Sequence, residues 1–168
     1  MTLTQVNVLD RAAFIAALGG VFEHSPWVAD DAWGKRPFSS LDTLHAAMVA
    51  AMRGAPEAAQ LALVRAHPEL AGKAAIRGEL TADSAGEQSG AGLKDCSPPE
   101  FARLHALNRA YDAKFGFPFI LAIRGLDRGT IITRFAERLE HDRVTEWEEA
   151  LQQIGRIARF RLEAMMEE

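Results

Sequence analysis

Apolar residues along this chain recur at helical spacing, and helix-start and helix-stop residues bracket most of the runs. Asp10 precedes Phe14, Ile15 and Leu18, and Gly19-Gly20 follows them, which predicts a short capped helix. Ser25-Pro26 predicts a second, with proline at the first helical position and an end near Gly34. Ser39 reads as the cap of a third, in which Leu41, Leu44, Met48 and Met52 share a face up to Gly54. Pro56 opens a fourth with Leu61 and Val64 inward. The strongest signal is Ser97-Pro98-Pro99-Glu100, a capping box with proline in the first turn. Behind it Phe101, Leu104, Leu107, Tyr111 and Phe115 hold helical spacing until Gly116 and Pro118. Thr130 predicts the cap of a helix carrying Ile131, Phe135 and Leu139. A last helix runs from about Val144 with Leu151, Ile154, Ile157, Ala158, Leu162 and Met165 as its stripe.

Only residues 117–123, Phe-Pro-Phe-Ile-Leu-Ala-Ile, read as strand-like, and no second run of that kind offers a partner. The expected class is therefore all-α: a compact single-domain bundle of about eight short helices, with one short extended segment near 117–123. Residues 70–80 and 84–94 read as loops. The second contains Gly86, Gly90 and Gly92, which would permit close backbone approach to a ligand.

A chain of 168 residues predicts one domain over 1–168, large enough to bury a core without staples. The net charge of −4, with both signs interspersed, argues against a nucleic-acid or membrane-surface binder. A small anionic substrate would then need a local cation. One cysteine, Cys96, excludes an internal disulfide and fits a reducing compartment. Residues 1–10 lack the pattern of a secretory signal, and no apolar stretch approaches the roughly 20 residues of a membrane span. The expected location is the cytoplasm.

Metal chemistry finds no foothold. His24, His45, His67, His105 and His141 show no ligand spacing, there are no paired cysteines, and no phosphate-loop or dinucleotide fingerprint occurs. Cys96 lies just before a capped helix, which could lower a thiol pKa, although an ordinary turn cysteine explains it as well. Acid–base chemistry remains. His67, in Arg65-Ala66-His67-Pro68-Glu69-Leu70, is biased out of helix by Pro68, so it ends a helix and faces a loop. It could equally be a histidine that only meets the helix dipole. Glu87 lies in a tract of small and hydrogen-bonding residues suited to a polar heterocycle. The spacing Ser84-x-x-Glu87 also matches a capping box. Arg161 falls on the inward stripe of the last helix, where a guanidinium needs a partner: a protein carboxylate or a substrate carboxylate.

Four blocks now fall into a known pattern. Phe22-Glu23-His24-Ser25-Pro26-Trp27, Arg65 to Gly72, Leu80 to Gly92, and Asn108 to Gly125 together resemble the OHCU decarboxylases, in order and spacing, across nearly the whole chain. That family decarboxylates 2-oxo-4-hydroxy-4-carboxy-5-ureidoimidazoline to (S)-allantoin in urate breakdown. The resemblance implies an all-helical fold that uses no cofactor and no metal. It implies His67 as the catalytic proton donor with Glu87 beside it. It implies substrate contacts from Pro68, from Ser84, Ala85, Gly86, Glu87 and Gln88, and from Phe119, Ile120, Leu121, Ala122 and Ile123. Arg161 joins that substrate set mainly through its inward placement. Members of the family are often homodimers, and nothing else in the sequence speaks to assembly. The expected partner is thus the small ureidoimidazoline, with no nucleic acid and no membrane.

Two other readings use the same residues. A hydrolase of a related cyclic ureide would also need an acid and a carboxylate, and carbon dioxide release separates it from a decarboxylase. A helical binding module would explain the helices and Arg161, but not the joint occurrence of His67, Glu87 and the polar tract.

Overall fold

A computed structural model describes residues 1–166 and is all-helical, as the periodicity predicts. Its contacts divide the chain into two compact units. The first comprises Met1–Ala66 and the chain from Ile154; the second is His67–Gln153.

The first unit holds α1 (Leu3–Val8), α2 (Arg11–Leu18), α3 (Trp27–Trp33), α4 (Leu41–Gly54), α5 (Glu57–Ala66) and the later part of α10 (Arg143–Met165). Local chemistry explains most of the boundaries. The Asp10 carboxylate accepts from Ala13 N–H, as expected of that cap. Ser40, rather than Ser39, caps α4, because Thr43 stands at the position that completes a reciprocal box with it. Ser25 does not cap α3: its hydroxyl donates to the Glu23 carbonyl, and α3 starts on Pro26 without a side-chain cap. Helix α1 was absent from the expected set, although Thr2 and Gln5 form a full capping box at its start. Phe14, Leu44, Met48, Met52 and Leu162 are completely buried in this unit.

The second unit holds α6 (Lys73–Arg77), α7 (Ala82–Gly90), a 3₁₀ turn at Leu93–Asp95, α8 (Pro98–Phe115), α9 (Arg128–Leu139) and the start of α10. Helix α8 follows the sequence closely. Ser97 and Glu100 make the capping box, and Gly116 closes the helix at a φ of 74°, a left-handed conformation that favours glycine. Phe101 departs from its predicted inward stripe, at 36% exposure. Asp127, not Thr130, caps α9, its carboxylate accepting from Thr130 N–H. Both expected loops contain helix. Residues 70–80 include α6, and the glycine-bearing tract forms α7, because the Thr81 hydroxyl accepts from Ser84 N–H and starts it. The described residues therefore form ten α-helices and one 3₁₀ turn, against about eight expected.

Residues 118–123 are neither helix nor strand. They cross an aromatic cluster: Phe119 stacks on Phe135 with ring centroids 3.8 Å apart, and the Tyr111 ring meets both edge-on at 5.5 and 5.7 Å.

Candidate active site

His67 is the first residue after α5, at a bend, and is 7% exposed. Pro68 blocks continuation of the helix, as its sequence position predicts. The chain then makes a tight turn that its own backbone would not choose. Ala71 sits at a φ of 50°, in the left-handed region that costs a non-glycine residue about 1–2 kcal/mol. Gly72 lies so close to Glu69 that a Cβ there would fall 2.7 Å from the Glu69 Cβ.

Helix α7 braces this turn. Helical spacing puts Ser84, Glu87 and Gln88 on one face, with Ser84 and Gln88 buried and Glu87 half-buried. Gln88 accepts from Ala71 N–H through Oε1 at 3.0 Å and donates from Nε2 to the Glu69 carbonyl at 3.2 Å. Ser84 is an interior residue of α7, since Thr81 provides the cap, so the Ser84–Glu87 spacing is not a capping box. Ala85 and Gly86 belong to the same helix.

The 118–123 segment is held by other means. Arg138 of α9 donates to the Ile120 carbonyl, and Gln153 of α10 accepts from Ala122 N–H at 3.0 Å. The N–H groups of Leu121 and Ile123 have no hydrogen-bond partner among the described residues. The tied groups are thus the carbonyls of Ile120 and Ile123, the second accepting from Leu126 N–H at 2.9 Å, and the N–H of Ala122. Part of this backbone is engaged by protein groups and part is open.

Behind the segment lies a buried charged network. Glu146 is 0% exposed and accepts from Arg138 at 2.8 Å through Nε, again through Nη2, and from the Tyr111 hydroxyl. His141 Nδ1 lies 3.0 Å from its second oxygen. The Arg138 guanidinium also stacks 4.5 Å from the Phe119 ring centre. Burial, reinforced by the adjacent Glu146, pushes the Tyr111 hydroxyl well above its ordinary pKa.

Arg161 lies in the first unit, and its inward placement is as predicted. Its Nη1 donates to Glu23 Oε2 at 2.8 Å, and more loosely to the carbonyls of Gly20 and Val21. Both side chains are buried, at 4% and 2% exposure. Of the two roles open to it from sequence, this geometry supports the protein carboxylate. Cys96 is not an activated thiol: burial first, then Glu100, push its pKa up. Among the described residues no cluster of His, Cys, Asp and Glu is arranged to hold a metal ion, and no helix is long and apolar enough to cross a membrane.

A cavity of about 320 Å³ opens in the second unit, with Ala71, Ala75, Leu80, Ala85, Gln88 and Phe101 in its wall. It shares Ala85 and Gln88 with the predicted contact tract but is lined by neither His67 nor Glu87. The rest of its wall is mostly aliphatic, and the Gln88 amide is engaged by the turn.

Sequence reasoning assigned no role to Asn108, Arg138, Glu146 or Gln153, which hold the two non-helical stretches. Its own criterion for Arg161, a polar residue on an apolar stripe, would have found three of them. Asn108 lies four residues after Leu104, Arg138 three after Phe135, and Gln153 three after Ala150, all buried partners on one face.

Known proteins resemble this chain in sequence and in fold. The sequence model of the OHCU decarboxylase family matches residues 7–163. The 2-oxo-4-hydroxy-4-carboxy-5-ureidoimidazoline decarboxylase of Halalkalicoccus jeotgali is 40% identical over 165 residues, covering 98% of this chain and 92% of that protein. Its Mus musculus counterpart is 37% identical over 162 residues, covering 96% and 91%. A crystal structure of (S)-allantoin synthase superposes with a TM-score of 0.80 at 28% identity, over 99% of this chain and 54% of that one. An OHCU decarboxylase crystallised in the presence of (S)-allantoin shares the fold, with a TM-score of 0.68 at 22% identity, over 84% and 92%.

Proposed function

The chain belongs to the OHCU decarboxylase family and is a decarboxylase; we propose that it converts 2-oxo-4-hydroxy-4-carboxy-5-ureidoimidazoline to (S)-allantoin and carbon dioxide with His67 as acid–base group and Glu87 as its partner. The observation that carries this reading is the brace between the His67 turn and α7. Gln88 hydrogen-bonds directly to residues 69 and 71, and Glu87 is its neighbour on the same helix face.

The substrate explains why no organic cofactor or metal is needed. When the C–CO₂ bond breaks, its electron pair moves into a new ring double bond, and the adjacent imine nitrogen takes up the displaced pair and a proton. The ring carbon that carried the imine then receives a proton on one face, and the neighbouring hydroxyl loses its own to become the carbonyl of allantoin. The protein has to hold the carboxylate and move these protons. An imidazole that titrates near neutral pH suits both directions of transfer, and a placed acid–base group contributes roughly 10²–10⁴-fold. Orientation and fixed hydrogen bonds supply the remainder.

Pro68, Ser84–Gln88 and Phe119–Ile123 are the proposed contacts. The open N–H groups of Leu121 and Ile123 match the carbonyl edges of a ureide. The test is to add freshly generated substrate and follow carbon dioxide and optical activity together. Release of carbon dioxide with dextrorotatory (S)-allantoin supports the proposal. Ring opening without carbon dioxide would assign a hydrolase instead.

A further inference from the structure

The imidazole proposed to move the proton sits at the head of a turn that other helices hold in place. Beyond Gln88, that turn has a second brace. Asn108 of α8 donates from Nδ2 to the Leu70 carbonyl at 3.0 Å. With Gln88 on Glu69 and Ala71, three successive residues after His67-Pro68 are tied to two helices. Both amide side chains are buried, at 4% for Gln88 and 6% for Asn108.

Asn108 is costly where it lies. It occupies the apolar face of α8 with Leu104, Leu107, Tyr111 and Phe115. Its Oδ1 is buried and makes no hydrogen bond among the described residues. Leucine would fill similar space there without an amide to desolvate. The amide's hydrogen bond goes to the turn that follows His67 and not to its own helix.

We infer that Asn108 is a positioning residue for the reaction: through the Leu70 carbonyl it fixes the turn behind His67, and so the place of the imidazole relative to α7. The inference rests on the proposed role of His67. Both braces are neutral amides, so they fix geometry without adding a charge to the turn.

Asn108→Leu removes the bond and keeps the volume. With 2-oxo-4-hydroxy-4-carboxy-5-ureidoimidazoline as substrate, kcat should fall on the order of 10²-fold, the usual cost of a misplacement of about 1 Å, with KM changed less than threefold. In a His67→Asn background the same change should leave the residual rate where it was, because residues acting as one unit are not additive. A merely structural residue would lower the melting temperature and leave kcat of the folded enzyme intact. Should Asn108→Leu not fold, Asn108→Ala lacks the donor and demands less room, and the same outcomes apply. A folded variant with kcat within threefold of the parent overturns the inference, as does a loss that multiplies onto that of His67→Asn. If His67→Asn itself turns over at the parental rate, the proposed mechanism fails. If His67→Asn is inactive while Asn108→Leu is unimpaired, only the positioning role fails.

Discussion

Residues 67–72 and 118–123 are both non-helical stretches of the second unit, and both hang from side chains of neighbouring helices. They are held by different chemistry. The first is tied by the neutral amides of Gln88 and Asn108. The second is tied by Arg138, whose charge is balanced by fully buried Glu146, with Tyr111 and His141 on the same carboxylate. Gln153 is the only neutral side chain among its ties. The difference follows from what each stretch is proposed to do. A buried ion pair among the supports would add fixed charges next to His67, whereas amides hold position without a charge. A segment that presents N–H groups to a ligand has no proton to protect, so it can sit on a charged support.

The largest expected effect falls in the neutral region. His67→Asn keeps the bulk of the side chain but cannot exchange a proton near neutral pH, so turnover should fall about 10²–10⁴-fold with a small change in melting temperature. Near-parental turnover in the purified variant would overturn the role of His67 as acid–base group.

The charged region should show its loss in stability instead. Glu146→Gln keeps the shape and leaves the Arg138 guanidinium buried without its counter-charge, which costs about 3–5 kcal/mol. Gln88→Leu, which strands the Ala71 N–H and Glu69 carbonyl, should cost less, about 1–3 kcal/mol. Denaturant unfolding of the two side by side measures the contrast, and equal losses would erase it. The first unit repeats the charged case. Arg161→Met would strand Glu23 and cost about 3–5 kcal/mol, whereas an arginine that held only substrate would leave the melt unchanged or raise it.

How far these supports could be read from sequence follows the same division. Local signals carried the helices: the Ser97–Glu100 box, the Asp10 cap and the Gly116 stop all depend on residues within a turn of one another. Helix α7 escaped because its inward face is Ser84 and Gln88, which hydrophobic periodicity counts as exterior, and because Gly86 and Gly90 read as loop. Arg138 follows Phe135 by three residues on the buried face of α9 and is legible by the same criterion as Arg161, whereas Glu146 carries no such local mark and reads as solvated until the fold brings it to Arg138. The family pattern pointed to His67 and Glu87, but a pattern of residues names no supports. The strand-like reading of 117–123 was half legible: the backbone is non-helical, yet part of it is engaged by side chains distant in sequence.

Glu87→Gln should come next in size. Since Thr81 caps α7, Glu87 has no capping duty, and glutamine has nearly the same helix propensity, so stability should change by less than about 0.5 kcal/mol. Turnover should fall about 10²-fold if the carboxylate orients or polarises His67. Paired melting and kinetics on one preparation decide this, and small parallel losses in both would make Glu87 part of the support.

The smallest effect at neutral pH is expected for Tyr111→Phe, and its dependence on pH tests whether the charged support is sealed from water. Tyr111 is completely buried and donates to Glu146, while Arg138 and His141 still hold that carboxylate when the hydroxyl is gone. The ring packing is kept, so the loss should be about 1–2 kcal/mol, with turnover unchanged. Burial and the neighbouring carboxylate raise the hydroxyl pKa in the folded state above that of the unfolded chain. A group of that kind contributes stability that is fully present below the unfolded value, about 10, and is lost as pH rises through the folded one. The parent should therefore lose stability from about pH 10 upward more steeply than Tyr111→Phe, whose lysines and Cys96 titrate in common with it. Tyr111 is the chain's one tyrosine, so tyrosinate absorbance reads this group alone. It should appear only as the protein unfolds. Tyrosinate forming near pH 10 in folded, active protein would mean that water reaches Glu146, and a support open to water would be screened like any surface pair. The two stretches would then no longer differ in how they are held.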